Sequence, residues 1–214
     1  MQQFWEQFLV NLHQTSLLEY IAVFTGIASV WFSRIENIWV YPVGLVSTII
    51  YVYLSFKFHL IGEASVNIYY SVLSIYGWIL WARKDEQKKH ILHISFSNKK
   101  EWTQQLLFAG SLYIIIYLVL AYLKEYFYPG AIPWADAFAS ATAYTGMWLM
   151  AKKKVESWYW WVATNISSVP LYFVKGLVFT SVFYFVLLAM AFWGLAEWRR
   201  RARSKIYNFE FEKV

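Results

Sequence analysis

The chain has 214 residues, 59% apolar and 15% charged, against roughly 45 to 50% and about 25% in an average soluble domain, which excludes an ordinary soluble globule. Its net charge of +6 does not point to nucleic acid, because a phosphate-binding protein would not carry long uncharged apolar runs. There is no cysteine, so disulfides and thiolate metal sites are excluded.

Residues 1–15 lack a basic segment, an apolar run and a small-residue cleavage site, which argues against a cleaved signal. Within residues 1–16, Phe4, Trp5, Phe8, Leu9 and Leu12 have the spacing of an interfacial amphipathic helix. A poorly ordered terminus is the competing reading. Seven apolar runs follow, over 17–33, 36–56, 63–82, 104–123, 131–151, 155–174 and 177–198. Each is about long enough to cross the roughly 30 Å of hydrocarbon in a bilayer. The runs are continuous, without the alternation of barrel strands, so the predicted class is an all-α membrane protein of seven transmembrane helices.

Sorting the basic residues by loop places Lys57, Lys124 and Lys175 on one side and the other sixteen on the opposite side. The positive-inside rule then predicts an outer N-terminus and a cytoplasmic C-terminus. The charge thus becomes a topology signal, with contact to anionic lipid headgroups and no nucleic-acid partner.

An offset of 120 residues superposes Gly26 on Gly146, Glu36 on Glu156 and Tyr41 on Trp161; an offset of 117 superposes Gly77 on Gly194 and Trp81 on Trp198. The predicted organisation is therefore a three-helix repeat over 17–82, a cytoplasmic loop and linker helix over 83–130, a second repeat over 131–198, and a basic tail over 199–214. An odd intervening helix makes the repeats parallel, a transporter pattern with its site between the halves near mid-depth.

Polar residues within spans are costly unless they face the bundle interior or a cavity. In the sixth span Trp161, Asn165, Ser168 and Tyr172 share one helical face, and in the third Asn67, Ser71, Ser74 and Trp78 do so, bordered by Tyr70. Tyr144 and Trp148 in the fifth span and Thr180 and Tyr184 in the seventh add i, i+4 pairs. Such groups suit a flat, hydroxylated, uncharged-to-cationic solute, with rings for stacking and amides for a sugar. Asn, Ser and Thr also serve as interhelical glue. Pro42 and Pro170 read as kinks in the second and sixth spans. Glu36 and Glu156 lie near helix starts, where a carboxylate complements the helix dipole.

No carboxylate pair lies at mid-depth and no Walker A sequence occurs, which favours a passive carrier. His90 and His93 lack a nearby carboxylate or thiol cluster and read as solvated loop residues rather than a metal site. No serine-hydrolase or zinc-protease motif occurs, so the expectation is a non-enzyme without catalytic residues, metal or cofactor.

The segments ENIWVYPVGLVSTIIYVYL (36–54), NIYYSVLSIYGWILW (67–81), PWADA (133–137), AKKKVESWYWWVATN (151–165) and LYFVKGLVFTSVFY (171–184) resemble the PnuC family of bacterial vitamin-precursor transporters over about 17–200. The resemblance implies a 3+1+3 fold related to SWEET-type carriers, a homotrimer in the bacterial inner membrane, and facilitated diffusion with trapping by a cytoplasmic kinase. It also implies that Asn67 stands where the family places a substrate-facing amide and that Trp148 and Tyr184 line the cavity. Nicotinamide riboside is the expected substrate and thiamine its closest competitor; relatives are also assigned riboflavin or deoxynucleosides. A non-transporting structural or signalling subunit is the alternative of another class.

Overall fold

A computed structural model describes residues 16–57, 61–84, 86, 90–126 and 132–211; the side chains of 61–63, 125–126 and 205–211 are outside that description. Of the interfacial segment expected over 1–16, residues 1–15 lie outside the described residues. Seven helices are described: α1 (Leu17–Arg34), α2 (Val40–Lys57), α3 (Ile61–Ala82), α4 (Lys99–Tyr126), α5 (Pro133–Ala151), α6 (Ser157–Val174) and α7 (Val178–Phe211). By length and hydropathy alone, α2, α4 and α7 can cross a membrane. α5 is the most buried of the other four, with ten buried residues that are mostly Ala, Thr and Gly.

Local chemistry sets the helix ends. Ser16 and Glu19 form a reciprocal capping box at α1, with Glu19 Oε2 accepting from the Ser16 amide at 2.7 Å. Asn98 and Glu101 do the same for α4, at 2.8 and 2.9 Å. Pro133 opens α5, where its missing N–H costs nothing. Gly176, at φ +75°, closes α6 in the left-handed conformation that glycine adopts without strain. Pro42 sits in the first turn of α2, where no intrahelical amide bond is lost; a kink there was expected and has no basis. Pro170 is inside α6.

Two boundaries differ from the sequence reading. The α4 helix begins at Lys99, five residues before the apolar run, because the Asn98–Glu101 cap starts it early. Residues 199–211, expected as a tail, continue α7. No Gly or Pro interrupts them, and Arg200 and Arg201 pair with Glu197 at i+3 and i+4, 2.9 and 2.7 Å.

Helix packing forms a closed circuit. α1 packs on α2, α2 on α3, α3 on α5, α5 on α6, α6 on α7, and α7 back on α1; α4 lies along α5 and reaches α6 through side chains, Gln105 accepting from Trp160 Nε1 at 3.1 Å and Trp102 stacking on Tyr159 at 6.4 Å. Most of α4 is exposed, including Leu107, Ile114, Leu118 and Tyr122.

The core is densest at the end where α1 and α5 terminate, built from Tyr41, Trp81, Met150, Val155, Trp158 and Trp198. Here contacts recur at an interval of 117 residues. The Tyr41 ring lies edge-on to Trp81 at 5.1 Å, and Trp158 edge-on to Trp198 at 5.6 Å. A Cβ on Gly77 would overlap Tyr41, and one on Gly194 would overlap Trp158. Trp81 Nε1 donates to the carbonyl of Ala151 at the end of α5 (3.2 Å), and Trp198 Nε1 to that of Ser33 at the end of α1 (3.1 Å).

Residues 117 apart also meet each other: Ser33 with Met150, Glu36 with Lys153 at 2.7 Å, and Trp81 with Trp198 at 6.2 Å. Glu36 and Lys153 are the described non-glycine residues with positive φ, +61° and +51°. Tyr41 thus corresponds to Trp158, not to Trp161 as the 120-residue offset suggested. That offset aligned glutamates that do different jobs. Glu36 pairs with Lys153, whereas Glu156 accepts from the amide and hydroxyl of Ser97, 3.0 and 2.7 Å, and so pins the loop before α4. Glu156 stands at the N-cap of α6, at the helix start as expected, though its side chain makes no capping hydrogen bond there.

Candidate substrate site

The middle of the helix circuit carries a cluster of aromatic side chains from α3, α5, α6 and α7. Tyr70 on α3 is its centre. Its ring lies 6.0 Å from Trp161 of α6 and 6.3 Å from Tyr69, and Tyr184 of α7 and Tyr144 of α5 are within electrostatic reach. Tyr69 meets Tyr144 edge-on at 4.4 Å and donates its hydroxyl to the Tyr144 carbonyl at 3.1 Å. The Tyr144 hydroxyl is in turn bonded to Ser65. Tyr172 and Tyr184 stack at 5.0 Å with their planes 9° apart, joining α6 to α7.

Trp161 is fixed from behind. Its indole lies over Gly146 of α5, where a Cβ would come within 3.2 Å of the ring. One turn on, Asn165 is 3% exposed, and among the described residues its amide has no hydrogen-bond partner. A buried amide normally has its partners, so this one retains two donors and an acceptor for something else. Its neighbour Thr164 is already used, donating to the Trp160 carbonyl and meeting the Thr142 hydroxyl, both at 2.9 Å. On α3, the Ser71 hydroxyl meets Thr48 of α2 at 2.8 Å and the Asn67 carbonyl at 2.9 Å. Asn67 is therefore about one turn before Tyr70 and Ser71 on α3.

Of the residues expected from sequence, the structure brings Tyr70, Tyr144, Trp161, Tyr172 and Tyr184 into one aromatic cluster. Asn165 stands one helical turn from Trp161, and Asn67 nearly one turn from Tyr70. Thr180 lies one turn before Tyr184 on α7, and Ser74, 3% exposed, lies one turn beyond Tyr70 on α3. Trp148 is elsewhere. Its ring packs against Phe108 of α4 at 5.1 Å and lies under the Lys152 ammonium at 4.3 Å, so it fastens α4 to α5. Tyr69 and Ser65, which hold α3 to α5, were missed. Tyr69 directly precedes Tyr70, and adjacent residues on a helix point about 100° apart, so a single-stripe reading cannot include both.

At the basic end a recess of about 550 Å³ is lined by Glu36, Asn37, Ile38, Trp81, His90, His93 and Lys153. His90 Nδ1 lies 3.1 Å from the Trp81 carbonyl. The two histidines thus border a pocket, where only a solvated loop was expected. Among the described residues no group of three or more His, Cys, Asp or Glu could hold a metal.

The family described as nicotinamide mononucleotide transporter matches residues 16–200. The riboflavin/roseoflavin transporter RibM of Streptomyces davaonensis is 26% identical over 169 residues, 78% of each chain. The nicotinamide riboside transporter PnuC of Escherichia coli K12 is 24% identical over 90% of this chain and 89% of its own. A crystal structure of a vitamin B3 transporter PnuC aligns with a TM-score of 0.67 at 21% identity, covering 94% of this chain and 88% of that one, so the two share a fold. These relatives are transporters, and the apolar helices described above make this chain a multi-pass membrane protein. The chain belongs to the nicotinamide mononucleotide transporter family, the PnuC group of membrane carriers.

Proposed function

We propose that the chain carries nicotinamide riboside across the bacterial inner membrane by facilitated diffusion, and that a cytoplasmic kinase traps the arriving nucleoside. The observation that carries this reading is the Asn165 amide, buried and uncommitted, one turn from Trp161 in a setting of tyrosines. Electron-rich rings favour a flat cation such as a pyridinium, and an amide with donors and an acceptor matches a carboxamide or ribose hydroxyls. Trp161, Tyr70 and Tyr184 contact the ring, Asn165 and Asn67 the amide or sugar, and Tyr144, Tyr172, Ser74 and Thr180 complete the lining. Trp148 takes no part in this reading. Passive transport is supported by the absence, among the described residues of the cluster, of a carboxylate that could relay a proton.

The helices form two parallel three-helix repeats, α1–α3 and α5–α7, joined by α4 in a 3+1+3 arrangement like that of SWEET carriers. Supporting this, the α3·α5 contact has its counterpart in α7·α1, and the 117-residue interval recurs in Tyr41/Trp158, Gly77/Gly194 and Trp81/Trp198. The N-terminus is outside, the C-terminus cytoplasmic, and the carrier a homotrimer.

Thiamine, also a cation with an aromatic ring, is the second reading, and the relationship to a riboflavin transporter adds a third ligand to test. The comparisons give no support to a non-transporting subunit. The test is isothermal titration of the purified protein with nicotinamide riboside, thiamine and riboflavin in turn. Binding of the riboside alone is expected. Binding of thiamine or riboflavin alone overturns the substrate, and no binding of any of the three overturns the proposal.

A further inference from the structure

The exposed face of α7 changes character abruptly. Phe185, Val186, Ala189, Phe192, Trp193 and Ala196 are exposed and apolar, and the next exposed residues on that face are Arg199, Arg200 and Arg203. This spacing of three, four and seven keeps them on one stripe of the helix. A groove of about 430 Å³ is lined by Ala196, Arg199, Arg200 and Arg203. Beside it, across the α1·α7 contact, Arg34 is wedged against two tryptophans, its guanidinium carbon 4.6 Å from the Trp31 ring and 4.4 Å from the Trp193 ring. Trp31 and Trp193 meet edge-on at 6.2 Å and are both exposed. Among the described residues no carboxylate pairs with Arg34, Arg199 or Arg203.

From this we infer an anionic-phospholipid site, in which the phosphodiester of a lipid such as phosphatidylglycerol sits in the arginine-lined groove. Its acyl chains run along Phe192, Phe185 and Val186. Tryptophan marks the headgroup level of a bilayer, and the change at Ala196/Arg199 puts the charges at the same height, where phosphates lie. A guanidinium pair matches the geometry of a phosphate. A second copy of this chain offers the groove few anions, because among the described residues four of the carboxylates at this end are already engaged and Glu86 is the exception. Glu36 pairs with Lys153, Glu101 with Lys154, and Glu197 with Arg200 and Arg201, while Glu156 accepts from Ser97.

The test is native mass spectrometry of the full chain released from nanodiscs that contain equal phosphatidylglycerol and phosphatidylethanolamine. Wild type should retain phosphatidylglycerol in preference to phosphatidylethanolamine. The double substitution R199Q/R203Q should weaken that retention by roughly 30-fold, whereas K99Q/K100Q, which removes the same charge from exposed sites at the same end, should change it little. As a measurement independent of the variants' folding, added phosphatidylglycerol should raise the thermal midpoint of the detergent-purified wild type, and inorganic phosphate should not. Equal retention of both lipids, equal loss in both double variants, phosphate acting as well as lipid, or a change of oligomeric mass in R199Q/R203Q would each overturn the site.

Discussion

Trp161 and Asn165 do different work, and single substitutions separate them. Stacking of a base on an aromatic ring is worth roughly 1 to 3 kcal/mol, so Trp161→Ala is expected to weaken riboside binding by about 5- to 150-fold in a titration. Asn165→Leu should weaken binding as well while leaving the fold intact, because the amide has no described partner to lose; a fall in thermal stability without a change in affinity would reassign it to packing. Trp148→Ala should leave affinity unchanged and loosen α4. Glycines provide a contrast. Gly194→Ala forces a methyl into the Trp158 ring and should cost roughly 1 to 3 kcal/mol, whereas Gly110→Ala, with open space around it, should stabilise α4 by up to about 1 kcal/mol. Thermal unfolding in detergent reads both. Individual aromatic positions were legible because in-span polar and ring residues stand out against an apolar background. The packing of Trp148 on Phe108 of α4 was not legible, because its i, i+4 relation to Tyr144 fixes a helix face only approximately and no periodicity encodes the position of α4.

Helices were legible where long apolar runs meet recognisable caps, and six of the seven spans begin within about four residues of their sequence-predicted starts. The exceptions have a common cause: charged helix formers. Lys99, Lys100 and Glu101 extend α4 backward and Arg199 to Arg203 extend α7 forward, and hydropathy cannot see a helix that leaves the membrane without changing conformation. The junction of α1 and α5 was hidden for another reason. Lys153 is 4% exposed, its ammonium held by Glu36 and lying 4.5 Å over the Trp81 ring, and no local pattern announces a partner 117 residues away. Removing one member of a buried pair strands the other, at roughly 3 to 5 kcal/mol. Glu36→Gln is therefore expected to lower the thermal midpoint more than Lys153→Met, which leaves Glu36 the Arg201 guanidinium at 3.4 Å.

For the whole molecule, class and span number followed from composition, whereas the closed circuit of six helices with α4 outside did not. Which helix packs on which depends on shapes such as Tyr41 against Gly77 that hydropathy averages away. Orientation can be checked directly because the chain has no cysteine. A membrane-impermeant thiol reagent added to intact cells should label Leu177→Cys, at the α6–α7 turn, and should miss Ser204→Cys until the membrane is opened; the reverse pattern would invert the topology. Uptake of the riboside should also be unaffected by collapsing the proton gradient, provided the kinase and its ATP supply are kept intact.

If α1–α3 and α5–α7 are the two repeats proposed above, Glu36 and Lys153 hold equivalent places in them and meet as unlike charges. If either triplet assembled with a copy of itself, two Glu36 carboxylates or two Lys153 ammonium groups would face each other at the spot where unlike charges now meet. Each triplet thus rejects its own twin and accepts the other. On the proposed repeat, the two triplets are therefore complementary rather than interchangeable at their meeting point.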